Sequence, residues 1–98
     1  MIAILSNNLG AVDLVEGRLE EARARFEESL ELVRELGDRW NAAHALHHIG
    51  MIAEQQQDLM EAEERFHESL TIYRELGDQP AVARLITQFA ILAGLREQ

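Results

Sequence analysis

Arg34-Glu35-Leu36-Gly37-Asp38 recurs letter for letter as Arg74-Glu75-Leu76-Gly77-Asp78, forty residues later. Running that offset backwards pairs Leu19 with Leu59, Glu21 with Glu61, Ala22 with Ala62, Arg25 with Arg65 and Phe26 with Phe66. It continues through Glu28-Ser29-Leu30 against Glu68-Ser69-Leu70, so that thirteen of the twenty positions in 19–38 are identical in 59–78. The chain is therefore an internal repeat. Upstream, Leu9-Gly10 falls on Ile49-Gly50 and then on Phe89-Ala90, where a third copy begins and stops.

Each copy reads as two helices. In 19–36 the apolar residues Leu19, Ala22, Phe26, Leu30, Val33 and Leu36 fall at spacings of three and four, the stripe of an amphipathic helix. Leu59, Ala62, Phe66, Leu70, Tyr73 and Leu76 repeat it. Gly37 and Gly77 suit the left-handed position that ends a helix, and Asp38 and Asp78 suit the N-cap of the next. Asp58 with Glu61 makes a capping-box pattern, and Pro80 sits in a first turn where its missing N–H does no harm. The pattern predicts an all-α fold of five helices, roughly 2–16, 18–36, 39–56, 58–76 and 79–96, antiparallel because the turns are short. The 98 residues form one domain: a repeat over about 2–37, a second over about 38–77, and a half repeat or terminal helix over about 78–97.

Composition narrows the function. With 9 basic and 18 acidic residues the net charge is −9, which repels nucleic acid. No cysteine is present, so a disulfide framework, Cys-ligated zinc and a thiol nucleophile are all excluded. Met1–Leu5 is apolar but lacks a basic leader, and Ser6-Asn7-Asn8 interrupts it, unlike a secretory signal or a membrane span. A cytoplasmic location is the expectation. Charge is also partitioned: 16–38 carries eight acids and four arginines, 54–78 eight acids and two, and the rest sums to +1. The second helix of each repeat thus bears an acidic face, a solvated outer surface or a docking face for a basic partner.

These residues resemble the tetratricopeptide repeat family, whose 34-residue helix–turn–helix unit places a Leu-Gly pair in the first helix and a small residue then an aromatic in the second. Leu9-Gly10, Gly17, Leu19, Ala22 and Phe26 match in order, as do Ile49-Gly50, Leu59, Ala62 and Phe66. Asp13 and Ala53 stand where the family usually has an aromatic, and Arg34 and Arg74 where a proline often ends the unit. The forty-residue period is similar to the longer-helix branch, including sensor arrays of bacterial transcription regulators. The resemblance implies a right-handed α-solenoid without catalysis of its own, which binds peptides, proteins or small effectors on the groove lined by its first helices.

Along those first helices the polar residues fall in register: Asn7 and Asn8, then His44, His47 and His48, then Arg84, Thr87 and Gln88. Asn7, Asn8, His44, His47, His48, Arg84 and Gln88 are the candidate peptide-contacting set. Asparagines ahead of Leu-Gly resemble those that bond a peptide backbone in long-helix members, and an amide can donate and accept together. Arg84 can anchor one acidic group. No lysine occurs, which argues against the carboxylate-clamping type of repeat. His44, His47 and His48 share one face, and an i, i+4 His pair can chelate a divalent metal, yet no neighbouring carboxylate completes a set. The expectation is therefore no metal site, and a neutral polar groove wall or one histidine partly buried against a neighbour. No nucleophile–base arrangement and no phosphate-cradling glycine loop is present, and the expectation is a non-enzyme that needs no cofactor.

The ends point to a second chain. Repeat arrays are ordinarily closed by polar capping helices, and two and a half repeats are not. Ile91 and Leu95 extend apolar surface around the last helix, and Ile2 and Leu5 (with Met1 and Ile4) do so at the other end. The expectation is a homo-oligomer, a twofold dimer through the terminal helices. The function expected is a protein-interaction scaffold that self-associates and takes a protein or peptide partner in its groove. An effector-sensing regulatory fragment is the alternative.

Overall fold

In a computed structural model of the chain, residues 18–96 are described and form four helices: α1 Leu19–Leu36, α2 Arg39–Gln55, α3 Leu59–Leu76 and α4 Gln79–Arg96. All four lie within a residue of the expected bounds. The expected first helix at 2–16, and with it Ile2, Leu5, Asn7 and Asn8, lies outside the described residues, so the count of five is replaced by four among those described. α2 packs on α1 and on α3, and α3 packs on α4.

The turns are built as the residue types require. After α1, Gly37 adopts φ 72°, its N–H returns to the Arg34 carbonyl, and the Asp38 N–H returns to the Val33 carbonyl. Gly77 repeats this at φ 73°. A residue without Cβ enters that left-handed region at little cost, and the bent-back bonds satisfy carbonyls left over at the helix end. The turn between α2 and α3 departs from this, because Gln57 takes φ 66° at the position where the first copy has Gly17. Each helix then restarts on an aspartate: Asp38 accepts from the Asn41 N–H, Asp58 from the Glu61 N–H and Asp78 from the Ala81 N–H, each at 3.2 Å. The capping box expected at Asp58 is only half formed. Glu61 does not reach back to Asp58; its carboxylate is drawn across to Arg23 and also faces Arg65 at 3.6 Å.

Two apolar clusters share α2. Ala22, Phe26, Leu30 and Val33 of α1 meet Leu46, Ile49 and Ile52 on one side. On the other side Ala43 and Ala53 meet Ala62, Phe66, Leu70 and Tyr73 of α3, with Ala81, Leu85 and Leu92 of α4. Ile72 touches both clusters and joins them. Gly50 is required by contact: a Cβ there would lie 2.7 Å from Cδ1 and Cε1 of Phe66, whose ring is fully buried. The Leu-Gly position is thus where α3 presses its aromatic against the α2 backbone. Ser69 adds a polar tie, its hydroxyl donating to the Ala43 carbonyl at 2.7 Å in the interior.

Candidate functional site

The candidate surface is formed by the first helices, α2 and α4, and the structure sorts the predicted residues along it. His44 follows Trp40 by four residues, one turn along α2, and the two rings stack with centroids 5.5 Å apart and planes within 9°. His48, one turn further, stacks at 4.8 Å on Phe26 of α1, and its centroid is 4.4 Å from that of His44. Trp40, His44, His48 and Phe26 therefore form a continuous column of rings. His48 Nδ1 lies 2.9 Å from the His44 carbonyl; a carbonyl only accepts, so Nδ1 carries the proton and donates. His48 is thus occupied by α1 and by its own helix, away from the role of a free groove contact.

His47 points the other way. It is buried, meets Phe66 edge-on at 5.8 Å, and its Nε2 has no hydrogen-bond partner among the described residues. Phe66 in turn meets Phe89 of α4 edge-on at 6.1 Å. The imidazoles of this helix are thus packed as aromatic rings, and their acidity follows. Burial first, then the charge on neighbouring His48, then Arg84, lowers His44 to about 4. Burial followed by His48, His44 and Arg84 takes His47 to about 4 as well. His48 is lowered by burial and partly restored by its bond to the His44 carbonyl. All three are neutral at pH 7. Among the described residues no group of three or more His, Asp or Glu side chains is placed to hold a metal ion.

Arg84 supplies the charge of the surface. It is exposed on α4, yet its field reaches His44, His47 and Tyr73 across the gap between the helices. Tyr73 is pushed up to about 12, chiefly by burial, with Arg84 opposing and Asp78 adding to the rise. Gln88, one turn beyond Arg84, is half-buried. Glu54, further along α2, is raised by burial, and its Oε2 is buried without a partner among the described residues. Sequence reasoning missed Trp40, which is 45% exposed, donates Nε1–H to Asp78 at 3.0 Å and caps the ring column. The signal was available in the spacing Trp40, His44, His48, one ring per turn on a single face.

At the open end, Ile86 and Ile91 of α4 are 54% and 47% exposed, while Leu95 is half-buried. Forty residues earlier, Ala43, Gly50 and Ala53 are buried on the α3 side of α2 and Leu46 on its α1 side; their counterparts Ala83, Ala90, Ala93 and Ile86 are all exposed. No helix among the described residues is long and apolar enough to cross a membrane.

Short antiparallel helices, a glycine admitting an aromatic from the next helix and a forty-residue register define a helical-repeat protein of the solenoid class. The sequence model of the tetratricopeptide repeat family matches residues 1–75 and 41–98, and the chain belongs to that family. No curated protein matches it. Among solved structures, the crystal structure of BtubC (BKLC) from P. vanneervenii superposes with a TM-score of 0.88 at 22% identity. The match covers 96% of this chain and 39% of that one, so this chain spans well under half of that protein's length. At that identity the likeness concerns the fold alone. Tetratricopeptide repeats generally mediate protein–protein interaction and act as scaffolds rather than as enzymes.

Proposed function

We propose that this protein is a non-enzymatic interaction module that holds a peptide or protein segment along the α2/α4 surface. The observation that carries this reading is Arg84, a solvent-exposed cation beside an uncharged aromatic ledge in a molecule of net charge −9. Such a site selects an extended segment with one acidic group: Arg84 takes the carboxylate, Gln88 offers both a donor and an acceptor to the main chain, and Trp40 with His44 gives a flat ring surface. The same reading assigns Asn7 and Asn8 to the peptide backbone. His47 and His48 support the ledge from beneath rather than touching the segment.

Trp40 is the single tryptophan of the chain and lies at the edge of the site, so its fluorescence reports occupancy without a label. Titration with a panel of extended peptides should give saturable changes for those bearing an acidic side chain or a free carboxylate. Arg84→Ala should weaken such binding by about tenfold, the effect of one exposed charge-assisted contact. A panel that binds Arg84→Ala as well as the parent chain would exclude this site. A response confined to small metabolites would favour the effector-sensing alternative instead.

Self-association through the terminal helices belongs to the same reading, with Ile91, Leu95 and the neighbouring Ile86 of α4 on the contact surface. Ala90 bears on its geometry. It replaces the glycine that admits Phe66, so whatever covers α4 sits further off than α3 does from α2.

A further inference from the structure

Trp40 is a large apolar side chain that is 45% exposed and yet held from several directions. His44 lies parallel to it, with centroids 5.5 Å apart and planes within 9°, and Tyr73 of α3 meets it edge-on at 6.4 Å. Its Nε1–H donates to the Asp78 carboxylate at 3.0 Å. Each of these partners is itself anchored. His44 touches the ring of His48, which stacks on Phe26 at 4.8 Å; Tyr73 is buried; Asp78 caps α4 through the Ala81 N–H. An exposed indole pinned in this way is preorganised, so a ligand that stacks on it removes little side-chain freedom. Forty residues on, the same position is Pro80, also exposed, so the repeat does not itself require a large ring there.

The surroundings decide which group fits the indole. Burial lowers His44 and raises Tyr73; Arg84 adds to the first shift and opposes the second, so its positive field falls on both rings that touch Trp40. A cation laid on the indole would meet that field. No free carboxylate oxygen at the indole edge offsets it, because Asp78 already accepts from Trp40 with one oxygen and from the Ala81 N–H with the other. A neutral ring meets no such penalty, and ring pairs add to the area they bury, which an aliphatic group of the same size does not.

We infer that Trp40 is the specificity-determining residue of the α2/α4 surface, and that it selects segments in which an aromatic side chain stands close to the acidic one. This rests on the reading of Arg84 as the contact for the acid. Trp40 touches His44 and Tyr73, and Arg84 acts on the same two rings, so the two groups of the segment come from near neighbours in its sequence.

The test uses the full chain and acetylated, amidated alanine–serine peptides that carry one aspartate and one variable residue, placed one, two or three positions away. Isothermal titration calorimetry compares phenylalanine, cyclohexylalanine and arginine at the variable position. At the best spacing the phenylalanine peptide should bind about fivefold more tightly than the other two. Trp40→Leu should abolish that preference and Trp40→Phe should keep most of it, with circular dichroism establishing that the helices of both variants are intact. If no acidic peptide binds, or all bind Arg84→Ala as tightly as the parent chain, the peptide-binding reading fails and the inference with it. Binding that requires both the aspartate and Arg84, yet is equal for phenylalanine and cyclohexylalanine, keeps that reading and overturns the inference alone. A preference for phenylalanine that survives in Trp40→Leu also overturns it, as does tightest binding by the arginine peptide, which would assign the indole to a cation.

Discussion

At the scale of single residues, Gly50 shows how a sequence signature acquires a mechanism. The Ile49-Gly50 pair is visible in the sequence as the counterpart of Leu9-Gly10, but the reason for the glycine is Phe66, which stands where a Cβ would go. Alanine is ordinarily the better helix former by about 1 kcal/mol. Here Gly50→Ala should destabilise the protein by about 1–2 kcal/mol net, because the ring is enclosed and overpacking of this kind costs more than the helix gains. Urea unfolding followed by circular dichroism measures it, and a more stable variant would show that the ring yields. The histidines make the opposite point. His44 and His47 were legible as one polar face, yet nothing in the spacing disclosed that stacking and burial hold them neutral. Both titrate near pH 4 in the folded chain and near 6.5 when unfolded. Above pH 7 neither state binds the proton and their contribution to stability is intact. As pH falls through 6.5 the unfolded chain takes up protons that the folded chain refuses, so stability drops until about pH 4. The ceiling is about 1.4 kcal/mol per pH unit for each residue, lowered by the solvent that still reaches His44. Urea midpoints should therefore fall steadily from pH 7 to 4.5, and the slope should flatten in His47→Phe, which keeps the ring and removes the proton.

At the scale of elements, the helix bounds were legible because their causes are local. A glycine that enters the left-handed region and an aspartate that accepts an N–H three residues on fix where one helix stops and the next begins, whatever lies around them. The same reasoning shows where it stops being sufficient. Asp58 caps α3 as expected, but Glu61 is claimed by Arg23 from a different helix, a competitor invisible in the local pattern. Identity between the copies likewise has two sources that sequence alone does not separate. Phe26/Phe66 and Ser29/Ser69 are buried packing positions in both copies, whereas of the identical acids Glu61, Glu68 and Glu75 are bridged by Arg23, Arg34 and Arg39 while Glu21, Glu28 and Glu35 are exposed. For Trp40 the spacing with His44 and His48 was legible, but its cross-helix partners were not. Its partners His44, Tyr73 and Asp78 come from its own helix, from α3 and from the start of α4.

At the scale of the whole molecule, the arrays of this family bury each helix pair beneath the next, and α4 is where that stops among the described residues. Ile86 and Ile91 lie open on a helix whose only charges are Arg84 and Arg96. Apolar surface of this kind is ordinarily covered in a stable assembly. Sedimentation at increasing concentration should show a dimer, and Ile86→Glu with Ile91→Glu should shift it to monomer without loss of helicity, because both side chains point away from the core. A parent chain that remains monomeric throughout would remove self-association through α4.

The sequence by itself determined the repeat, its forty-residue register, the all-α class, the helix ends and the uneven placement of its negative charge. Those properties follow from periodicity, backbone preference and composition, which are written within a few residues of one another. Only the tertiary structure decided which acids are bridged and which stand open, why Gly50 must be glycine, and that three histidines behave as neutral rings beside one exposed arginine. Each of those depends on the distance between side chains from different helices, and burial and Coulomb energy are set by that distance rather than by position along the chain.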